Sequence, residues 1–305
     1  MKTPRTLTRR DLLRASAAAA AMPFAIRVAG AAEAPAKLKG RIHQSASKWC
    51  YGGVPFPELC AEGARMGLEG IDLLGPGSFK TLKEHGLVCT MTSCNSIGRG
   101  FNRTEHHEKL IKNLHGAIDA TAAAGFKNVI CFSGNRGGMA DDEGLKNCAI
   151  GLKKVAGYAE KKGVVICMEY LNSKQHKDYM ADSSAWCFDL VKAVGSPSFR
   201  ILYDIYHAAM MEAEIVTGPD GKKTARHKLI EIIQKNIDAI GHFHTGGFPG
   251  RKDINDTQLL DYPAIMRAIV ETGFKGYVAH EFVPKAKDKA GKLAALREAV
   301  GICDV

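Results

Sequence analysis

Residues 239–255 read AIGHFHTGGFPGRKDIN. Side chains alternate across a strand with period two, so His242 and His244 share one face and Phe243 takes the other. A strand with two histidines on its polar face, running into a glycine-rich turn that delivers Arg251, is a strand that looks into a site. Seven further apolar runs accompany it: RIHQSAS (41–47), EGIDLLG (69–75), LVCTMTSC (87–94), NVICFSG (128–134), VVICMEYLN (164–172), RILYDIYHA (200–208) and GYVAHEFVP (276–284). Each precedes an amphipathic stretch, including a short helix near Phe79 and a long one over Thr104–Ala124. Eight βα repeats predict an α/β fold, a parallel sheet closed into a single (β/α)8 TIM barrel. No GxGxxG opens a helix after the first strand, which removes the usual sign of a dinucleotide-binding sheet. Thr104, Asp141 and Asp182 are expected as helix caps. His106, His107 and His115 are expected on the solvated side of the third helix. The polar segment Glu212–Lys228 interrupts the βα rhythm with a PDG turn signal, and both a lid and a surface insertion fit it.

The N-terminus follows a different grammar. TRRDLLR (8–14) leads into the small apolar run ASAAAAAMPFAI and then Ala29-Gly30-Ala31, the order of a twin-arginine export signal built on Arg9 and Arg10. The expected organisation is a signal over residues 1–31, a linker over 32–40 and the barrel over 41–305. The export machinery is then a partner and the periplasm the destination, with membrane anchoring if the signal is retained. Six basic residues and one acidic residue lie in that signal, so its removal lowers the formal charge from +10 to +5. The remaining positive charge is mild and scattered, which argues against a nucleic-acid partner and is compatible with an acidic small molecule. Nine cysteines is an odd number, and no CxxC spacing occurs, so neither a disulfide framework nor a structural zinc site is expected. The sequence leaves monomer and homo-oligomer both open.

In a closed barrel the site lies at the C-terminal ends of the strands. Glu169, Asp204, His244 and Glu281 each stand late in one of the last four barrel strands, 35, 40 and 37 residues apart. That spacing is one βα unit each, so four consecutive strands present one ligand apiece to a common point. Two glutamates, an aspartate and a histidine are a hard, oxygen-rich set suited to one divalent ion, Mn2+ or Mg2+, with Co2+ also compatible. Several buried carboxylates together need a cation to offset desolvation and repulsion. His244 is read as the ligand and His242, one pleat deeper, as a supporting core group. Arg251 and His207 are candidates for gripping substrate oxygens, and Trp49 and Phe248 for an apolar wall.

The motifs MEYLNSK (168–174), LYDIYHAAMMEAE (202–214), IGHFHTGGFPGR (240–251), DYPAI (261–265) and GYVAHEFVP resemble, in order and spacing, the hydroxypyruvate isomerase family within the xylose-isomerase-like barrel superfamily. The resemblance covers about half the mature chain. It implies that Glu169 and Glu281 bind metal and act as the acid/base pair, with Asp204 and His244 completing the site. The implied substrate is a small hydroxy-carbonyl compound, hydroxypyruvate first, isomerised to tartronate semialdehyde by proton transfer through a cis-enediolate. Hydroxypyruvate isomerases usually carry glutamine where this chain has His244, and histidine there resembles the ketose 3-epimerase branch. A ketose 3-epimerase acting on a small sugar, and an exported metal- or sugar-binding protein without catalysis, are the alternative readings. A zinc-dependent abasic-site nuclease on the same barrel would need further ligands from the early strands, and the ends of RIHQSAS, EGIDLLG and LVCTMTSC supply no obvious set.

Overall fold

A computed structural model describes residues 37–305. The expected export signal and all but the last residues of the expected linker lie outside the described residues. The strands are β1 (His43–Ser47), β2 (Gly70–Asp72), β3 (Val88–Cys89), β4 (Asn128–Cys131), β5 (Val165–Glu169), β6 (Phe199–Asp204), β7 (Glu214–Thr217), β8 (Lys223–Arg226), β9 (Ile240–Thr245) and β10 (Tyr277–His280). The helices are α1 (Phe56–Arg65), α2 (Phe79–Glu84), α3 (His107–Ala124), α4 (Asp141–Lys162), α5 (Ser184–Val194), α6 (Ile205–Glu212), α7 (Leu229–Asn236), α8 (Tyr262–Glu271) and α9 (Lys289–Cys303). No helix among the described residues is long and apolar enough to cross a membrane.

Eight strands form one parallel sheet in the order β3-β2-β1-β10-β9-β6-β5-β4. Its two ends meet at Thr92, just beyond β3. The Thr92 N–H donates to the Asn128 carbonyl at 2.8 Å, and the Thr92 carbonyl accepts from Ile130 at 3.0 Å. Strands buried on both faces read as continuous apolar runs, which is why β4 and β5 show no polar alternation. Helix α3 explains itself by spacing: His107, Leu110, Leu114, Ile118 and Thr121 are its buried face. Full burial of an aliphatic side chain such as Leu114 or Ile118 is worth about 1.5–3 kcal/mol. Helix α4 carries Asp141, Asp142 and Glu143 in its first turn and Lys161 and Lys162 in its last, complementing its dipole, and it stops at Gly163 in the left-handed conformation.

One irregularity sets the register of the site. Ile201 pairs with Ile240 but Leu202 pairs with His242, leaving Gly241 as an extra residue in β9. A Cβ at Gly241 would stand 2.9 Å from Arg200 Cβ and 3.1 Å from Cys167 Sγ, so glycine is required there. Beyond the bulge Asp204 lies opposite His244. A one-residue slip would send one of the two to the outer face.

Several sequence expectations need correction. The run RILYDIYHA is strand only to Asp204, whose side chain caps α6 by accepting the His207 N–H at 3.0 Å, so strand passes directly into helix. LVCTMTSC keeps only Val88–Cys89 as regular strand, with Thr92 as a bridge. None of Thr104, Asp141 and Asp182 is an N-cap. Thr104 opens a short 3-10 turn without a side-chain cap, and α5 is capped by Ser183, which accepts from the Trp186 N–H. Asp141 and Asp182 instead hold Arg136, at 2.7 Å and 2.8 Å. His107 is buried with Nε2 against the Phe101 carbonyl at 2.8 Å, and His115 packs on Tyr158 with ring centroids 4.4 Å apart. Segment 212–228 starts with the last residue of α6 and contains the antiparallel β7–β8 hairpin, in which Glu214 pairs with Arg226. All nine cysteines are free.

Arg136 also reaches the carbonyls of Tyr179 and Met180, tying the loop after β4 to the loop after β5. Replacing it by leucine strands the nearly buried Asp182 and two carbonyls. Arg136→Leu is therefore expected to lower the unfolding free energy by about 1–3 kcal/mol. Urea denaturation monitored by circular dichroism checks this, and an unchanged midpoint would show the tie to be dispensable.

Candidate functional site

The barrel brings all four expected ligands to one point. Glu169 ends β5, Asp204 ends β6, His244 is the penultimate residue of β9 and Glu281 follows β10. All four are buried, and one ligand atom of each lies within 4.8 Å of the others. Asp204, Glu281 and His244 are also tethered so that one atom of each stays available. Asp204 gives Oδ1 to the His207 N–H and leaves Oδ2 for the cluster. Glu281 Oε1 accepts from Trp49 Nε1 at 2.6 Å and Oε2 faces His244 and Arg251.

His244 holds the clearest sign of a cation site. Its Nε2 faces Asp72 Oδ2 at 2.8 Å. Its Nδ1 lies 2.6 Å from Glu281, 3.5 Å from Glu169 and 3.9 Å from Asp204, yet makes no aligned hydrogen bond with any of them. The nitrogen and the carboxylate oxygens converge on a shared point rather than on one another, which fits a divalent ion held by three carboxylates and one imidazole.

The electrostatics agree. Burial pushes the Glu169 carboxyl up to about 7, although His244 pulls the other way. Burial also raises Asp204, against Arg251. Burial would raise Glu281 too, but Arg251 and His244 outweigh it and hold that carboxyl well below the usual range. Burial disfavours a charge on His244, but Glu281 and then Asp72 and Glu169 outweigh it, lifting its proton affinity well above the usual value. A proton and a divalent cation would thus compete for the same nitrogen.

Asp72, at the end of β2, is the residue the sequence reading missed. Fully buried, it accepts from Thr90 Oγ1 at 2.6 Å and from His244. His242 Nε2 stands 3.2 Å from its other oxygen without an aligned hydrogen bond. Burial would raise the Asp72 carboxyl, but the two histidines outweigh it and keep it anionic. An anionic carboxylate requires N–H at Nε2 of His244, which leaves the Nδ1 lone pair for the cluster in the neutral ring. EGIDLLG thus does supply the site, through a supporting group. The usable signal was an acid on the inner face of an otherwise apolar strand.

Arg251 and His207 are brought in, though not side by side on the cleft wall. Arg251 Nε donates to the Glu281 carbonyl at 3.0 Å and Nη2 to Asp204 Oδ2 at 3.0 Å. Nη2 also meets Glu281 Oε2, and Nη1 meets His207. His207 is fully buried behind it, with Nδ1 accepting the Asn172 N–H at 3.2 Å. The open face of the cluster is a cleft of about 660 Å3 whose wall includes Trp49, Leu73, Ile97, Phe132, Leu171 and Arg251. Trp49 joins this wall as expected. Phe248 instead belongs to the core, and the β7–β8 hairpin is absent from the wall.

Residues 79–299 match the model of a family described as Xylose isomerase-like TIM barrel. The chain belongs to that family. Curated relatives carry isomerase names: 2-oxo-tetronate isomerase of Cupriavidus necator is 24% identical over 45% of this chain and 46% of its own length. The same-named protein of Pectobacterium atrosepticum is 22% identical over 78% of this chain and 90% of its own length. Hydroxypyruvate isomerase of Escherichia coli is 23% identical over 60% and 66%. The chain thus spans about half the length of the Cupriavidus relative and nearly all of the Pectobacterium one. Among solved structures, a Brucella melitensis protein titled AP endonuclease, family 2, aligns with TM-score 0.70 at 21% identity, covering 82% of this chain and 96% of that one. The 3-keto-D-glucoside 4-epimerase of E. coli aligns with TM-score 0.69 at 19% identity, covering 86% and 98%. At such identities these two establish the fold.

Asp72→Asn removes the charge that orients His244 while keeping shape and hydrogen bonding. We expect divalent-ion affinity to fall by about 10–100-fold with the fold retained. Competition against a chromophoric chelator, alongside a thermal melt, measures both. Unchanged affinity would rule out the orienting role.

Proposed function

We propose that the protein is a divalent-metal-dependent isomerase that moves a proton between carbons next to a carbonyl, through a cis-enediolate. The observation that carries this reading is the convergence of Glu169, Asp204, Glu281 and His244 Nδ1 on one point at the open end of the barrel. Glu169, Asp204, His244 and Glu281 would hold one Mg2+ or Mn2+, with Co2+ an alternative, and a bound divalent ion supplies Lewis-acid stabilisation of charge developing on substrate oxygens. The isomerase names of the curated relatives support the reaction class.

The protein's own groups do the remaining work. Glu169 and Glu281 flank the convergence point from opposite sides of β6 and β9 in the sheet order, so each can exchange a proton with a carbon held between them. Trp49 fixes the rotamer of Glu281 by occupying Oε1. His207 backs Arg251, which borders the cleft and whose one remaining N–H is assigned to a substrate oxygen. Burial of the carboxylates keeps water from diluting their interaction with the reacting C–H. By resemblance, hydroxypyruvate is the reference substrate. A second reading, epimerisation at a single carbon of a ketose, is favoured by histidine rather than glutamine at position 244.

Proton NMR in D2O with the magnesium-loaded protein tests the reading. Loss of a C–H signal next to the carbonyl is expected, is abolished by chelator and returns with added metal. Glu281→Gln and Glu169→Gln should each lower exchange by about 10²–10⁴-fold. Near-normal exchange in either variant would remove that glutamate from the acid/base pair, and metal binding without exchange in the parent would favour a binding protein. We infer export from residues 1–31 on the strength of Arg9 and Arg10; Arg9→Lys with Arg10→Lys should leave the protein in the cytoplasm on fractionation, and unchanged export would refute that route.

A further inference from the structure

The wall beyond the four ligands speaks to the substrate, an inference that rests on the reaction class proposed above. Hydroxypyruvate and 2-oxo-tetronate are small carboxylates, and a buried carboxylate needs a cation of its own. Among the described residues lining the cleft the only arginine or lysine is Arg251. Four of its N–H directions already meet Glu281, twice, Asp204 and His207. Arg99 and Lys109 line a separate pocket beyond Asn95 and Ser96. His176, the remaining basic group on the wall, is biased towards neutrality by burial and by Arg251.

The wall is otherwise built for an uncharged, partly apolar ligand. Of the four most exposed large hydrophobic residues among those described, two, Trp49 at 53% and Ile97 at 36%, stand on this cleft. Exposure of that kind, concentrated in one concavity, marks a surface for a ligand. The Trp49 indole is fixed by its bond to Glu281 and by the Arg251 guanidinium 5.7 Å from its ring centre. It offers a rigid flat face on which the C–H side of a sugar ring can stack. Leu73, Ile97, Phe132 and Leu171 continue the wall.

Size leaves room for more than one ring. Taking water's liquid share of about 30 Å3 for each non-hydrogen atom as an upper limit, hydroxypyruvate needs at most roughly 200 Å3, a ketohexose at most roughly 360 Å3 and a disaccharide at most roughly 700 Å3. The cleft offers about 660 Å3. We propose that it takes an uncharged keto-sugar carrying a second ring or an aglycone, with one ring face on Trp49 and the second group along Leu73, Ile97 and Phe132. The small acids named for the curated relatives fill under a third of it and find no uncommitted cation.

The test measures C–H exchange in D2O by the magnesium-loaded full chain with hydroxypyruvate, D-fructose and the reducing keto-disaccharides isomaltulose and turanose. Saturation-transfer NMR records binding of the same compounds independently of exchange. At least one disaccharide should exceed fructose about tenfold in kcat/KM for exchange, the discrimination that one extra set of apolar contacts provides, and hydroxypyruvate should rank last. Trp49→Ala should raise the disaccharide KM about tenfold; Trp49→Phe, which keeps a flat face but loses the N–H to Glu281, should restore the KM while kcat stays lowered. Ile97→Asp should raise the disaccharide KM about tenfold. Exchange of hydroxypyruvate above all sugars would overturn this inference and keep the proposed reaction. Disaccharide binding without exchange of any compound would keep the ligand class and overturn the reaction, and neither binding nor exchange would overturn both.

Discussion

Three carboxylates taken out of water and held within 3.9 Å of one imidazole nitrogen repel one another, and the upper end of the barrel is organised around offsetting that repulsion. Arg251 supplies positive charge directly, and His244 does so when its Nδ1 carries a proton. Asp72, Trp49, the α6 N-terminus and His207 hold those groups at fixed angles. The arrangement is weakly determined by any single contact and strongly determined by the set. Removing one member leaves a buried charge without its partner, which is costlier than the contact itself is favourable.

The same constraint explains the local irregularities. The Gly241 bulge puts Asp204 opposite His244 where a regular ladder would not. The direct passage from β6 into α6 gives Asp204 a helix end to cap, so one oxygen is immobilised and the other presented. The tight turn after β9 holds Arg251 at φ 53°, a left-handed conformation that a side chain this bulky rarely adopts. Backbone strain of that kind persists where surrounding contacts over-determine it, and here the contacts are the carboxylates that need the guanidinium.

Much of this was legible in the chain because strand periodicity is a short-range property. Glu169, Asp204, His244 and Glu281 announce themselves by recurring once per βα unit at the polar end of an apolar run, and the eight runs yield the barrel. Features decided by partners distant in sequence were not legible. Asp182 looks like a cap until Arg136, on the loop after β4, takes it. Short-range contacts through irregular chain are equally hidden from periodicity: Asp141 is held by Arg136 five residues before it, and His107 is covered by the carbonyl of Phe101 six residues before it. Asp72 is separated from His244 by 172 residues, and nothing within EGIDLLG says that its acid will meet a histidine from the far side of the sheet. The RILYDIYHA run was overextended because β-branched and aromatic residues satisfy a strand and a buried helix equally well; the side chain of Asp204 broke the tie.

Trp49 belongs to two interactions at once, its ring edge bonded to Glu281 and its face open to the cleft. A molecule resting on that face and an ion held by Glu281 therefore act on the same pair of side chains. Thermodynamic linkage makes the effect mutual: whatever factor the ion contributes to the molecule's affinity, the molecule returns to the ion's. An ion and a molecule occupying this barrel together would then be linked ligands, each setting how tightly the other binds.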